Sequence, residues 1–358
     1  MKGTTLRILA AGDEFVGTGL LTSAVRAELG TAPGQDGDPD FAELSLPWPI
    51  EPFGPVGGVQ EASGTEEQVI EAVAGAELAV TQMAPFTEKV FAAAPDLRMV
   101  SVSRGGPVNI DLKAATAAGV AVTYAPGRNA AAAAEFAVGL LLAAMRRIST
   151  SSAELLEGTW RGDHYAYANA GVELEGTTVG LVGYGAIGSR VARVLVAFGA
   201  KVLVSDPFAD PAKITADGAE PAELDDLLRR SAAVSLHARL TEQTRHLIDA
   251  DKLALMPEGA VLVNSARGGL LDYAPLPGLL RSGRLGALAL DVYDVEPPPA
   301  DWALRDAPNV IATPHLAGAS RQTAERAARI VAAEVGRYVR GEDLANVANP
   351  DVLDRFRR

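Results

Sequence analysis

The stretch TTVGLVGYGAIGSRVARVLVAFGAKVLVSD, from Thr177 to Asp206, constrains the fold more than any other part of the chain. A short apolar run meets three glycines, Gly183, Gly185 and Gly188, and a segment of helical periodicity follows at once. Its apolar residues Ile187, Val191, Val194, Leu195 and Phe198 fall on one face before Gly199 closes it. A second apolar run then ends at Asp206. This is a strand, turn, helix and strand in series, and each glycine has its own role. Gly183 permits the tight turn, Gly185 lets a pyrophosphate approach the backbone, and Gly188 lets helix and strand pack closely. The free amides of the helix start face the anion. A carboxylate about 20 residues on, at the end of the next strand, is where ribose hydroxyls are bound, and Asp206 stands there. Pro207, Phe208 and Ala209 follow, with no adjacent arginine to meet a 2′-phosphate, so the expected cofactor is NAD and not NADP.

This turn begins halfway along 358 residues, a length that exceeds what one core usually supports and predicts two domains. Apolar runs alternate with helical patterns nearly throughout, which argues for parallel sheets covered by helices. The first third offers the strands LRILAAG, ELAVTQM, RMVSVS and VAVTYAP, with helical stretches at Ser23 to Leu29 and Glu66 to Val73. Between Ser45 and Ser63 a Pro- and Gly-rich stretch must be loop, either functional or a surface excursion. From Asn129 to Ile148 an Ala-rich helix is apolar almost all round, as buried helices are. After the glycine turn come KVLVSD, AAVSLHA, AVLVNSA, LGALALDVY and NVIATPH, and Arg321 to Gly341 reads as one amphipathic helix.

Acidic residues outnumber basic ones 45 to 32, and a net charge of -13 repels nucleic acid and anionic lipid headgroups. Cysteine is absent, which removes disulfides, cysteine metal sites and thiol nucleophiles and fits a reducing compartment. No metal site is expected. The opening MKGTTLRILAAGDEF has too short an apolar core for a signal peptide, and the apolar run Ala137 to Met145 is half the length a bilayer requires. The expectation is a soluble, cytoplasmic protein.

An acid/base imidazole has four candidates, His164, His237, His246 and His315. His246 lies in a segment that reads as helical and exposed, and His164 in a loop. His237 ends a strand near the glycine turn and can border the cofactor. His315 emerges at a strand end, and the small residues after it leave room for a ligand. Arg267 also ends a strongly apolar strand, an awkward place for a guanidinium unless it faces an anion. Glu296 lies just beyond another buried strand. The alternative for that pair is a salt bridge tying two loops.

The ordered motifs NIDLKAATAAGVAVTYAPGRNAAAAAE, GLVGYGAIG, SLHARLTEQTRHLI, VNSARGGLLD, DVYDVEP and TPHLAG, between about Val102 and Ser320, resemble the D-isomer-specific 2-hydroxyacid dehydrogenases, phosphoglycerate dehydrogenases among them. The resemblance implies two Rossmann-like, doubly wound parallel-sheet domains. A cofactor domain of residues 127–318 is inserted into a discontinuous, flavodoxin-like substrate domain of residues 1–126 and 319–358. It implies a catalytic trio of Arg267, Glu296 and His315, acting on a D-2-hydroxy acid and its 2-keto acid. It also implies cofactor contacts at Ala186, Ile187, Ser265, Ala266, Asp291, Ala317 and Gly318, and a homodimer built through the cofactor domain. Relatives that act as NAD-binding corepressors supply a non-enzymatic alternative, against which the acidic surface counts.

Three positions depart from the family pattern. In SRGGPVNID, Gly105 and Gly106 can still offer amides to a carboxylate, but Arg104 adds a positive charge beside them. Arg239 stands where proline is usual, and Ala317 where glycine is usual. Two unusual arginines in an acidic chain suggest a substrate with a second anionic group, with His164 and Tyr165 joining them if their loop folds over. The alternative is that both arginines form ordinary surface ion pairs.

Overall fold

The computed structural model describes residues 6–30 and 38–353. Residues 1–5, which open the segment weighed above as a leader, lie outside the described residues, as do 31–37 and 354–358, which fall within the expected substrate domain. The chain divides into two compact units, Met1–Asn129 with Ser320–Arg358, and Ala130–Ala319, so that the second interrupts the first.

The interrupted unit holds five parallel strands, β1 (Arg7–Gly12), β2 (Asp40–Ser45), β3 (Leu78–Thr81), β4 (Met99–Val102) and β5 (Ala121–Tyr124), in the order β2-β1-β3-β4-β5. Strands β3 and β4 are buried along their whole length, as expected of a sheet covered by helices on both faces. The helix Arg321–Val339 returns the chain to this unit. Ser320 caps it by accepting from the Thr323 amide, and its buried stripe runs through Ala324, Ala327, Ala328, Val331 and Val335. It packs against the helix Thr18–Leu29 and across β3, β4 and β5. Asn349 then closes the outer edge of β5, accepting from the Val122 amide and donating to the Val120 carbonyl.

The inserted unit holds seven parallel strands: β6 (Thr178–Val182), β7 (Lys201–Ser205), β8 (Glu220–Pro221), β9 (Ala233–Leu236), β10 (Ala260–Asn264), β11 (Leu285–Leu290) and β12 (Val310–Ala312). Their order is β12-β11-β10-β9-β6-β7-β8, with neighbours parallel throughout. The Ala-rich helix Ala130–Met145 lies across β10 and β11 and against the helix Gly188–Ala197. Its small side chains and Leu141 enter the same core as Val179, Leu181, Val191 and Leu195. Within Gly188–Ala197 and its end, Val191 and Leu195 face that core, whereas Val194 and Phe198 are left partly exposed.

Two strands escape the periodicity argument, β2 and β8. Both are edge strands, and β2 mixes exposed and half-buried residues with no fully buried one. His246, placed above in a helical segment, sits instead in a turn with φ 49°, its amide donating to the Gly269 carbonyl. Among the described residues no helix is long and apolar enough to cross a membrane, and no group of three His, Cys, Asp or Glu side chains is arranged to hold a metal.

Candidate active site

Arg267, Glu296 and His315 all follow C-terminal strand ends of the inserted unit, after β10, β11 and β12 respectively. That edge is where open parallel sheets collect ligands. Their support begins with Asp291, fully buried just past β11. Its Oδ1 accepts from the Thr313 hydroxyl (2.7 Å) and the Leu316 amide (2.8 Å), and its Oδ2 from the Ala317 amide (2.7 Å). These bonds hold the Thr313 side chain before His315 and the backbone after it, and His315 adopts φ 54°, a conformation a non-glycine residue keeps only when its surroundings impose it. The side chain of Asp291, expected at the cofactor, is thus engaged by the loop that carries the imidazole.

Tyr293 ties a second arm to the same loop. Its hydroxyl donates to the Thr313 carbonyl at 2.9 Å, while its amide donates to Glu296 Oε1 at 3.0 Å. Glu296 Oε2 is left to meet His315 Nδ1 at 2.8 Å. The carboxylate bond raises the imidazole pKa above its usual value, outweighing burial, with the charges of Glu296 and Asp291 adding to the rise. Glu296 is pushed upward by burial, but the His315 hydrogen bond and charge, the Tyr293 amide and the charge of Arg267 bring it below its ordinary value. With Nδ1 committed to Glu296, the proton that can be exchanged with a ligand is the one on Nε2.

Arg267 is set by Asn264, a fully buried residue at the end of β10 that the sequence reading passes over. Asn264 Nδ2 donates to the Arg267 carbonyl (2.9 Å) and its Oδ1 accepts from the Ala266 amide (3.1 Å), folding Ser265 and Ala266 into a tight turn. Gly268 lets that turn press on the Glu296 arm, for a Cβ there would lie 1.8 Å from the Tyr293 carbonyl oxygen. The Arg267 guanidinium is exposed, with Nη1 donating to the Ala266 carbonyl, and its charge acts on both Glu296 and His315.

The glycine turn lies between β6 and Gly188–Ala197. Gly183 has φ 101°, and a Cβ there would stand 2.6 Å from the Ala238 amide; one at Gly188 would stand 2.2 Å from the Gly183 carbonyl oxygen. Gly185 faces open space, and among the described residues the amides of Gly185, Ala186 and Ile187 have no acceptor. No acidic side chain occupies the first helical turn. Asp206 accepts from the Tyr184 amide (2.7 Å) through Oδ2 and from the Phe208 amide (2.9 Å) through Oδ1, which holds its carboxylate at the turn with lone pairs to spare. This pairing of unfilled amides with a placed carboxylate fits the pyrophosphate and ribose of a dinucleotide. His237 borders the turn, its amide donating to the Val182 carbonyl and its Nε2 lying 3.0 Å from Ser235 Oγ. Burial pushes this imidazole down to about 4.

The residues expected to meet the substrate are divided. Arg104, Gly105 and Gly106 follow β4 in the interrupted unit, where Arg104 pairs with Glu61 at 2.9 Å and both glycines face open space. Arg239 is an exposed residue of the inserted unit. His164 pairs with Glu154 at 2.6 Å, and Tyr165 is fully exposed.

Residues 138–317 match the family model described as the NAD binding domain of D-isomer specific 2-hydroxyacid dehydrogenase. A D-3-phosphoglycerate dehydrogenase of Mycobacterium bovis is 39% identical over 284 residues, covering 79% of this chain and 53% of that protein. The chain therefore spans about half the length of such relatives. A glyoxylate reductase of Korarchaeum cryptofilum is 37% identical over 294 residues, covering 82% of this chain and 89% of that protein. Among solved structures, the TT0316 protein of Thermus thermophilus superposes with a TM-score of 0.75 at 29% identity, covering 96% of this chain and all of that one.

Proposed function

The chain belongs to the D-isomer-specific 2-hydroxyacid dehydrogenase family and carries its NAD-binding domain, and we propose that it interconverts a D-2-hydroxy acid and the corresponding 2-keto acid. The observation that carries this reading is the Glu296–His315 contact beside Arg267, at the strand ends of the same unit that bears the dinucleotide turn.

NAD, when bound, supplies or accepts the hydride at the substrate's second carbon. The amides of Gly185, Ala186 and Ile187 would hold its pyrophosphate and Asp206 its ribose, with Gly183 and Gly188 shaping the turn and His237 walling it. In the reducing direction His315 Nε2 delivers a proton to the oxygen that becomes an alkoxide, and Glu296 keeps the imidazole charged until it does. Arg267 pairs with the substrate carboxylate through its fork of donors. Gly105 and Gly106 are the substrate contacts proposed for the interrupted unit. In the oxidising direction the neutral imidazole takes the hydroxyl proton back. Ser265, Ala266, Ala317 and Gly318 line the turns that carry Arg267 and His315 and stand as contacts for the nicotinamide end.

The finer substrate assignment is a 2-hydroxy acid with a second anionic group. It is supported by the likeness to D-3-phosphoglycerate dehydrogenases and by the two unusual arginines, Arg104 and Arg239. A homodimer through the inserted unit is supported by the groove between Ala130–Met145 and Gly188–Ala197, lined by Ala131, Ala134, Val194, Ala197 and Phe198 together with the charged Glu135, Arg190 and Arg193. Sedimentation analysis checks it, a monomer at micromolar concentration counting against. A cytoplasmic setting is the one that the cysteine-free composition supports.

The test of the activity is NADH oxidation with a panel of 2-keto acids that includes glyoxylate, pyruvate and 3-phosphohydroxypyruvate. Turnover of at least one member is expected. NADH binding without any turnover would favour the corepressor reading instead.

A further inference from the structure

Tyr184 is the one side chain between Gly183 and Gly185. Glycine lacks the Cβ that restricts a backbone, so neither neighbour fixes the path of the chain through Tyr184. The order of this stretch therefore depends on what Tyr184 itself holds. Its amide donates to Asp206 Oδ2 at 2.7 Å, the carboxylate assigned above to the ribose. Its ring is buried in the core of the inserted unit, together with Val191, Leu195 and Ile214.

A buried tyrosine needs a partner for its hydroxyl, and here the partner is charged. The hydroxyl donates to Asp217 Oδ2 at 2.6 Å, and Arg193 Nη1 donates to the same oxygen at 3.1 Å. Asp217 closes the helix Pro211–Ala216, its own amide donating to the Lys213 and Thr215 carbonyls. Arg193 lies within Gly188–Ala197, the helix into which the glycine turn leads. The next residue, Gly218, seats the same corner on that helix, for a Cβ there would stand 3.0 Å from Val196 Cγ1.

One carboxylate oxygen thus fastens the chain on both sides of the unfilled amides of Gly185, Ala186 and Ile187, through Tyr184 before them and Arg193 after them. Burial, then the hydrogen bond and charge of Asp217, push the Tyr184 hydroxyl up to about 12, so it stays a donor at neutral pH. The Tyr184 bond and the charge of Arg193 outweigh burial and hold Asp217 below its ordinary value, so it stays an ionised acceptor. All of these residues belong to the inserted unit.

We propose that Tyr184 is a positioning residue for the dinucleotide: anchored through its hydroxyl to Asp217 and Arg193, it holds the turn amides and the Asp206 carboxylate in the arrangement that pyrophosphate and ribose require before they arrive. Such preorganisation raises affinity because less freedom is lost on binding. Resting on the assignment of those groups to the dinucleotide above, this adds a side chain that the glycine motif leaves unspecified.

The test is calorimetry with ADP-ribose, which carries the pyrophosphate and the adenosine ribose but no nicotinamide. Tyr184→Phe removes a single oxygen atom and should weaken binding about 3- to 10-fold, the usual scale of one hydrogen bond to a charged group. Asp217→Ala should weaken it by a similar factor, and Asp217→Asn by less, because its amide oxygen still accepts from the hydroxyl. The double variant Tyr184→Phe with Asp217→Ala should bind about as Asp217→Ala does alone. The KM for NADH should rise with the loss of ADP-ribose affinity while kcat stays within about twofold. Unchanged ADP-ribose affinity in Tyr184→Phe overturns the proposal even if the denaturation midpoint falls, for the hydroxyl then serves only the core. A double variant weakened by the product of the two single factors overturns it too. Tyr184→Phe decides alone if Asp217→Ala does not fold. An unaltered protein that binds no ADP-ribose overturns the assignment of the turn to the dinucleotide, and this proposal with it.

Discussion

His237 and His315 both follow C-terminal strand ends of one sheet, yet their surroundings drive them to opposite protonation states. His237, after β9, hydrogen-bonds the Ser235 hydroxyl and borders the glycine turn, and burial pushes it down to about 4. His315, after β12, is half exposed and hydrogen-bonded to a carboxylate, which raises it. Position on the fold places an imidazole near a ligand, but the neighbour it is given decides whether it can deliver a proton.

The sharpest way to break this contrast is His315→Ala. It should retain NADH binding and lose on the order of 10²- to 10⁴-fold in kcat, the usual worth of a positioned acid or base. Near-normal turnover would remove the assignment.

Next in size is Glu296→Gln. Reduction requires charged His315, so its rate is full at low pH and falls as pH rises through the raised imidazole pKa. The amide removes the cause of the rise, so the falling limb should move to lower pH, each unit of displacement costing about tenfold in the protonated population on the alkaline side. The pH profile of kcat/KM for reduction reads it. A limb that stays in place would dissociate Glu296 from the proton.

Asp291→Ala strips the acceptor from two amides and a hydroxyl around His315. It should destabilise the inserted unit by about 2 to 4 kcal/mol and lower kcat more than it raises KM, as seen by chemical denaturation beside kinetics. An unaltered denaturation midpoint would mean the loop is held otherwise.

The smallest effect belongs to His237→Gln. Between about pH 6.5 and about pH 4 the unfolded chain binds a proton at this residue that the folded chain refuses, so folding stability is full above the upper value and lost as pH falls. The glutamine variant should lose less stability over that window, with its reduction limb where the unaltered protein has it. Displacement of that limb would make His237 the proton donor.

Much of this was legible in the residues because function here sits at strand ends. Arg267 and Glu296 follow strands that are buried nearly throughout, and His315 follows the half-buried edge strand β12; a charged or titratable residue soon after an apolar run points to an edge that meets a ligand. The glycine turn was legible because its strand, glycines and helix follow one another within one short stretch, although the close contact at Gly183 comes from Ala238, after β9. Asn264 and Tyr293 were not: Asn264 acts by folding its own short turn, which its residue type alone does not announce, and the Tyr293 hydroxyl reaches the Thr313 carbonyl only through the fold. The edge strands β2 and β8 lack the apolar run because half of β2 and all of β8 are left to solvent.

The most direct measurement is an NMR titration of the histidine ring resonances, assigned through His315→Ala and His237→Gln. The account predicts that His315 titrates above 6.5 and drops when Glu296 is replaced by Gln, while His237 titrates well below 6.5 in both proteins. A His315 resonance that titrates at or below 6.5, or that ignores the loss of the carboxylate, would contradict it.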